Sequence, residues 1–297
     1  MSNHSHPTLL VSGATGLNGR ELLKQLSQQG IPTRALVRDP ARAADLGNDF
    51  IQLVEGDLSD PASLNVAFEG IEKAYIVTSI NQDTVRWFQN FYAAAKRAGV
   101  KHLVKFSGYG SSEDSRSEVI RQHGESDRLL RESGLTYTIL RPNSFYQNML
   151  WQADSIMSQG EFYLPVGDAR QSMVDVRDIA EATIRVLTEP GHENRVYDLT
   201  GPESLSFDDV AREIAAVSGK AVRYVPVSVA DAKSSMLESG MPEWDADVLA
   251  EIQGVFGSGA YAKVETDLEH ILGRVPRRFA TFALDHAKSF EPRATDT

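Results

Sequence analysis

Residues 8–38, TLLVSGATGLNGRELLKQLSQQGIPTRALVR, constrain the fold of this chain more than any other stretch. An apolar β-type run, Leu9 to Val11, leads into Gly13, Gly16 and Gly19, spaced three apart. Leu22, Leu23 and Leu26 follow at helical spacing, and a second β-type run, Thr33 to Val37, ends at Arg38. Strand, glycine turn, helix, strand is the order of a dinucleotide-binding βαβ unit. Gly13 lets the chain turn sharply out of the strand, Gly16 leaves room for a pyrophosphate, and Gly19 lets the helix pack close to the sheet. The free N–H groups near Thr15 to Asn18 then face the phosphates at the positive end of the helix dipole.

The end of the second strand selects the cofactor. An acidic residue there accepts from the ribose 2′-OH and favours NAD. Here Arg38 stands at that point, followed by Asp39-Pro40 and Arg42. Its planar, always-charged fork suits a 2′-phosphate, so NADP(H) is preferred over NAD(H). Asp39 is the competing residue, since its carboxylate stands next to the ribose position.

Further β-type runs lie at Ile51 to Val54, Ala74 to Ile80, Leu103 to Phe106, Thr136 to Leu140 and Val196 to Leu199. Helical patterns separate them at Pro61 to Phe68, Thr84 to Ala98, Glu118 to Glu132 and Ile179 to Leu187. This alternation predicts an α/β fold: a Rossmann-type, doubly wound parallel sheet with a smaller, mostly helical C-terminal substrate lobe. Residues 1–142 read as the nucleotide-binding domain, with 174–200 returning to it. Residues 143–173 and 201–297 read as the substrate lobe, with a short β run at Val222 to Val227 and a helical look over Ser144 to Ser158. Ligands of such sheets bind beyond the carboxyl ends of the strands, and a cleft beside the lobe is the expected substrate site.

Charge and composition exclude several classes. Thirty basic against 41 acidic residues give a net charge of −11, which disfavours nucleic acid and acidic membranes as partners. Without cysteine there is no disulfide framework, thiolate nucleophile or Cys-ligated metal, as befits a cytoplasmic protein. No convergent metal-ligand set is evident, and no apolar run is long enough to span a bilayer. The expected partner is a small-molecule substrate, and the expected assembly a monomer or homodimer.

Five stretches together resemble the NmrA-like group of atypical short-chain dehydrogenases: VSGATGLNG (11–19), ALVRDP (35–40), GDLSD (56–60), SGLTYTILRPNSFYQN (133–148) and TGPESLSFDDVAREIAAVSGKAVRYVPVS (200–228). The resemblance covers nearly the whole chain. It implies NADP(H) binding, with Gly13, Thr15, Gly16, Leu17, Asn18 and Gly19 at the pyrophosphate and Arg38 at the 2′-phosphate. It places Asp57 and Leu58 beside adenine, and Thr78 and Ser79 along the nicotinamide ribose. Asp57 has an equal claim as a turn or N-cap residue of Asp57-Leu58-Ser59-Asp60-Pro61. The group contains NADPH-dependent quinone, azo-dye and triphenylmethane-dye reductases, and also NADP-binding redox sensors that do no chemistry. The function expected is hydride transfer from NADPH to a planar electrophile. A non-catalytic sensor is the alternative, and an imine or enone reductase or an isomerase of a biosynthetic pathway a further one.

Ordinary short-chain dehydrogenases pair a serine with Tyr-x-x-x-Lys, whose lysine lowers the tyrosine pKa. Ser107 stands at the serine position, but His123 replaces the tyrosine and Asp127 the lysine. An acidic residue cannot activate a tyrosine, so alcohol oxidation by that route is not expected. Reduction of a strong electrophile survives the loss, because it mainly needs the acceptor held over the nicotinamide. His123, oriented by Asp127 one helical turn away, is a candidate proton donor, and Tyr109 a second. The plainer reading makes His123 a part-exposed helix residue paired with Asp127. On the substrate side, Phe145, Tyr146 and Trp151 are candidates to stack on a flat acceptor, with Asn143 and Asn148 orienting it. At least one of the three aromatics is expected to serve packing alone. Asp175 and Asp178 read as caps of the helix near Ile179.

Overall fold

The computed structural model describes residues 6–291. In chain order the elements are β1 (Leu9–Val11), α1 (Leu17–Gln28), β2 (Thr33–Val37), β3 (Ile51–Glu55), α2 (Pro61–Ala67), β4 (Lys73–Ile76), α3 (Thr84–Ala98), β5 (His102–Phe106), α4 (Glu118–Glu132) and β6 (Tyr137–Pro142). There follow α5 (Ala153–Gln159), β7 (Glu161–Leu164), α6 (Val176–Thr188), β8 (Arg195–Leu199), α7 (Phe207–Ser218), β9 (Arg223–Pro226), α8 (Val229–Glu238) and α9 (Glu243–Phe256). Three short helices, α10 (Asp267–Leu272), α11 (Phe279–Asp285) and α12 (Ala287–Phe290), end the described chain. Among the described residues no helix is long and apolar enough to cross a membrane.

The chain forms two compact units. The first runs to Ser115 and resumes over Ile120–Pro142 and Ile179–Asp198; the second holds Arg116–Val119, Asn143–Asp178 and the chain from Leu199 onward. A seven-stranded sheet is ordered β3-β2-β1-β4-β5-β6-β8, and the pairings from β3 through β6 are parallel. This is a Rossmann-type α/β sheet, and its strand order reverses between β1 and β4, where such sheets open a crevice.

On one sheet face Leu10, Ala74, Ile76, Leu103 and Ile139 pack against Leu64, Phe68, Phe88, Phe91 and Ala95. Each large apolar side chain removed from water stabilises by about 1.5–3 kcal/mol. Helix α3 forms because Phe88, Phe91, Tyr92 and Ala95 recur on one stripe. Lys96 and Arg97 sit at its negative end, and Gly99 at φ 71° closes it in the left-handed region. In the second unit β7 pairs parallel to β9, and a core of Tyr146, Met149, Phe162, Phe207, Tyr224, Phe279 and Phe282 is buried. A capping box between Ser206 and Asp209 starts α7 there.

Two elements differ from the sequence expectation. The β run expected over Ala74 to Ile80 ends at Ile76. Its neighbour β1 has already ended at Val11, and the Ser12 hydroxyl takes over from the backbone ladder. Its Oγ accepts from the Val77 N–H at 3.3 Å and donates to the Val77 carbonyl at 3.2 Å. Residues 77–79 are thereby released from the sheet. The helix expected over Ser144 to Ser158 is instead a 3₁₀ turn, Tyr146–Gln152, followed by α5. Phe145 is bridged to Val174, and the Tyr146 N–H donates to the Val174 carbonyl at 3.0 Å, so the turn departs from extended backbone.

Candidate cofactor and hydride-transfer site

A cavity of about 660 Å³ opens at the carboxyl edge of the sheet, against the ends of β1, β2 and β4. Gly13, Thr15, Gly16, Leu17, Asn18 and Gly19 line it, with Arg38, Asp57, Leu58, Thr78 and Ser79. All eleven cofactor positions expected from the sequence therefore meet in one cavity of the first unit. The glycines make the turn possible. Gly13 has φ +62°, and a Cβ there would lie 2.5 Å from Val77 Cγ1. A Cβ on Gly19 would lie 2.1 Å from the Gly13 carbonyl oxygen. Gly16 stands at the N-cap of α1 with no side-chain cap, so the first N–H groups of that helix await a partner. Asn18 Oδ1 is closed to solvent and has no hydrogen-bond partner among the described residues. A backbone cradle with an unused acceptor fits a dinucleotide pyrophosphate and its ribose.

The exposed Arg38 side chain lies at the cavity wall. Asp39 Oδ1 accepts from the Ala41 and Arg42 N–H groups at 2.9 and 3.2 Å, so that oxygen is spent on the turn through Pro40. Asp57 is a turn residue at the cavity wall, while Asp60 supplies the N-cap of α2. Asp57 Oδ1 accepts from the Ser59 N–H and hydroxyl, each at 2.7 Å. Those bonds hold its carboxyl below the usual carboxylate range. Ser59, Val77, Asn81, Asp83, Arg86 and Trp87 also line the cavity and were not foreseen. The signal was their place: they adjoin Asp57 and Ser79 at the same sheet edge, while Arg86 and Trp87 read only as first-turn helix residues.

The next strand carries the catalytic question. Ile76, the last residue of β4, is opposite Lys105 in the parallel register, and Ser107 follows two residues later, just past the end of β5. Ser107 is buried, and its hydroxyl donates to Asp127 Oδ1 at 2.8 Å. Lys105, on the same face of β5 two residues earlier, donates to that oxygen at 2.5 Å. The other oxygen, Oδ2, accepts from Ser111 Oγ at 2.9 Å and from Arg141 Nε and Nη2 at 3.0 and 2.8 Å. The Lys105 and Asp127 side chains are both 0% exposed. Burial alone would raise the Asp127 pKa, but Lys105 and Arg141 hold it well below the usual range. Burial pushes Lys105 down to about 8 against the pull of Asp127. Its ammonium also lies 4.6 Å from the centre of the Phe88 ring.

This cluster corrects the pairing of His123 with Asp127, while the residue is part-exposed on its helix, as the plainer reading has it. Asp127 does not orient the imidazole, because both its oxygens are taken by stronger, cationic or hydroxyl donors. His123 Nδ1 is shut from solvent with no partner among the described residues. Burial, then the Lys105 charge, pushes its pKa down to about 3, so at neutral pH the ring is a neutral imidazole and not an imidazolium acid. The ring instead packs against Gly108, where a Cβ would lie 3.1 Å from His123 Cδ2. Tyr109, half-buried, is anchored through its N–H to the Pro142 carbonyl at 2.9 Å.

Of the expected substrate residues, all in the second unit, Tyr146 is core. It is fully buried, meets Phe279 edge-on at 5.2 Å, and donates its hydroxyl to the Arg277 carbonyl at 3.3 Å. A stacking role is thereby excluded. Asn143 is also committed: Nδ2 donates to Ser172 Oγ and the Tyr261 carbonyl, and Oδ1 accepts from the Ser144 N–H. Phe145 and Asn148 are half-buried, and Trp151 is 77% exposed. Asp175 caps α6, accepting from the Arg177 N–H at 2.9 Å. Asp178 is no cap; it accepts from Arg274 Nη2 and the Arg277 N–H at 2.7 and 2.6 Å.

The parallel sheet and glycine cradle, taken with the relatives named next, place the protein among the NAD(P)H-dependent oxidoreductases of the atypical short-chain dehydrogenase type. The chain belongs to the NmrA-like family, whose model matches residues 5–283. It is 40% identical over 282 residues to an NAD(P)H azoreductase of Xenophilus azovorans, covering 95% of this chain and 99% of that one. Its fold matches an NADPH-dependent quinone oxidoreductase of Escherichia coli complexed with NADPH at a TM-score of 0.85 and 30% identity, covering 93% and 98% of the two chains. It matches the Citrobacter sp. triphenylmethane reductase complexed with NADP(H) at a TM-score of 0.82 and 28% identity, covering 94% and 99%.

Proposed function

We propose that this protein is a reductase that uses NADPH in preference to NADH and passes hydride to a planar electrophilic small molecule, such as a quinone or an azo compound. The observation that carries the reading is the pairing of a complete nucleotide cavity with a lost acid. The cavity ends at the Arg38 fork, while Asp39 spends one oxygen on its own turn. Arg38 then serves the 2′-phosphate. Where a tyrosine would protonate a carbonyl oxygen stands a neutral His123 whose ring lies against Gly108. The acceptor must therefore accommodate the incoming electron pair itself.

When bound, NADPH supplies the hydride, and the reduced acceptor takes its proton from water. The chain's part is to bind and orient. Gly13, Gly16 and Gly19 admit the pyrophosphate to the start of α1, Asp57 and Leu58 flank the adenine, and Thr78 and Ser79 run beside the nicotinamide ribose. Azo, quinone and triphenylmethane reduction, named for the relatives above, are the acceptor chemistries this arrangement suits. The test is NADPH and NADH consumption by purified protein across quinones, azo dyes and activated alkenes. Saturable turnover, faster with NADPH, is expected; tight NADPH binding with no turnover of any acceptor refutes the reading and leaves a non-catalytic NADP-binding regulator.

A further inference from the structure

Among the residues that line the nucleotide cavity, Trp87 is the one aromatic, and the glycine turn and strand ends leave it without a task. It stands in the first turn of α3, outside the buried stripe of Phe88, Phe91, Tyr92 and Ala95. The residue is part-exposed, yet its Nε1 is closed to solvent and has no hydrogen-bond partner among the described residues. What Trp87 offers the cavity is therefore ring carbon rather than the N–H. Beside it the Arg86 guanidinium is paired with Asp83 at 3.0 Å, so this corner presents a flat apolar face rather than a free charge. Asn90, one turn further along the same side of the helix, donates from Nδ2 to the Leu58 carbonyl at 2.8 Å. That bond pins α3 to the loop after β3, where Leu58 lines the cavity. Helical side chains lean toward the N-terminus of their own helix, so Trp87 reaches past Asn90 to the rim of that loop.

In a βαβ site the pyrophosphate lies at the start of the first helix and the 2′-substituent at the end of the second strand. The base hangs from the same ribose as the 2′-substituent, so it falls within one sugar of Arg38. The cavity wall on that side is Asp57, Leu58 and Ser59, the loop to which Asn90 ties the helix that bears Trp87. We propose that Trp87 is the base-recognition residue of this cavity and packs its indole on the purine of the cofactor. This inference rests on the dinucleotide part of the reading above and deepens it. An indole reads the flat face of a base and not its hydrogen-bonding edge. Affinity for the adenosine half then comes from stacking by Trp87, and the choice of a 2′-phosphate belongs to Arg38.

Calorimetric titration of Trp87→Leu and Trp87→Phe with NADPH, and with 2′,5′-ADP as the adenosine half alone, tests the assignment. Removing the ring in Trp87→Leu should weaken both ligands by the same factor, at least about tenfold, the worth of one aromatic–base contact. Trp87→Phe keeps a smaller ring and should lose less. Wild-type affinity in a folded Trp87→Leu variant overturns the proposal, and so does a loss for NADPH that 2′,5′-ADP does not share. A second measurement keeps residue 87 in place. The chain has three tryptophans, and the double variant Trp151→Phe with Trp244→Phe, both in the second unit, leaves Trp87 as the one emitter. Saturation with 2′,5′-ADP should quench its fluorescence. Unchanged emission, with binding confirmed by calorimetry, overturns the proposal. Neither readout needs an acceptor. NADPH that binds and reduces nothing sinks the reductase reading alone, whereas a protein that binds no NADPH sinks both.

Discussion

Removing either half of the Lys105–Asp127 pair should have very unequal effects. Asp127→Asn leaves two cations, Lys105 and Arg141, facing one neutral amide, with Lys105 fully buried. Breaking a buried ion pair from one side costs about 3–5 kcal/mol, because the remaining charge has no compensation. Lys105→Met is different. Asp127 keeps the two nitrogens of Arg141 and both serine hydroxyls, while the cost of burying the ammonium disappears. That burial is large enough to push the Lys105 pKa from 10.5 to about 8, a differential of about 3 kcal/mol at 1.36 kcal/mol per pH unit. The net loss for Lys105→Met should therefore stay below about 1.5 kcal/mol, since lost attraction and relieved desolvation oppose each other. The two variants are compared by urea and thermal unfolding at pH 7, with melting midpoints about 10 °C apart, at roughly 2–4 °C per kcal/mol. The pH dependence has a definite sign. Lys105 binds its proton less tightly when folded, so its penalty is full below about pH 8 and is relieved as pH rises toward 10.5. Removing Asp127 lowers the Lys105 pKa further, so the deficit of Asp127→Asn should shrink as pH rises toward about 8 and stay level above it. Equal losses for the two variants, or a deficit that grows with pH, would refute the reasoning.

Other positions give independent checks. Arg38→Asp should lower kcat/KM for NADPH by about 10–100-fold, the worth of one charge-assisted phosphate contact, and raise it for NADH; an unchanged preference removes Arg38 from cofactor choice. Gly19→Ala should weaken NADPH binding at least about tenfold in a fluorescence titration, since its Cβ would lie 2.1 Å from the Gly13 oxygen and the turn must move. His123→Gln should leave the pH–rate profile between pH 6 and 8 unaltered, and loss of a limb there would restore His123 as an acid. With a folded pKa lowered to about 3 against 6.5 unfolded, His123 contributes stability that is lost as pH falls through that window, so the variant should resist mild acid better. Tyr146→Ala should cost about 3–5 kcal/mol in unfolding experiments as a core deletion, while Tyr146→Phe costs only about 1 kcal/mol for one hydroxyl bond.

Much of the nucleotide cavity was legible because glycine spacing and strand ends are local properties. Gly13, Gly16 and Gly19 act through the absence of a side chain, which a sequence displays directly, and Arg38 and Asp57 sit where a strand stops. The cluster around Asp127 was less legible because its partners come from three elements. Asp127 was read with His123, four residues earlier on the same helix, since helical spacing is what a sequence offers. Its actual partners are Lys105 and Ser107 at the end of β5, Ser111 in the loop, and Arg141 of β6. A lysine inside an apolar strand, HLVKF, was the unused clue: such a charge is not buried without a counter-ion. Tyr146 was misplaced for the opposite reason. An aromatic after a strand can face a ligand or a core, and only Phe279 and Phe282, more than a hundred residues on, decide between them.

The Ser12 hydroxyl that replaces the ladder between β1 and Val77 makes the cavity floor unusually easy to interrogate. In a regular sheet, an amide beside the cofactor exchanges with solvent only when two strands part. Here the Val77 N–H is held by one rotatable side chain, at 3.3 Å, against the wall that a cofactor covers. Freeing it takes rotation about the one Cα–Cβ bond that carries the Ser12 hydroxyl rather than the opening of the fold. A bound dinucleotide slows its exchange by closing off water. One backbone amide can thus report occupancy of the site while the rest of the sheet keeps the slow clock of global stability.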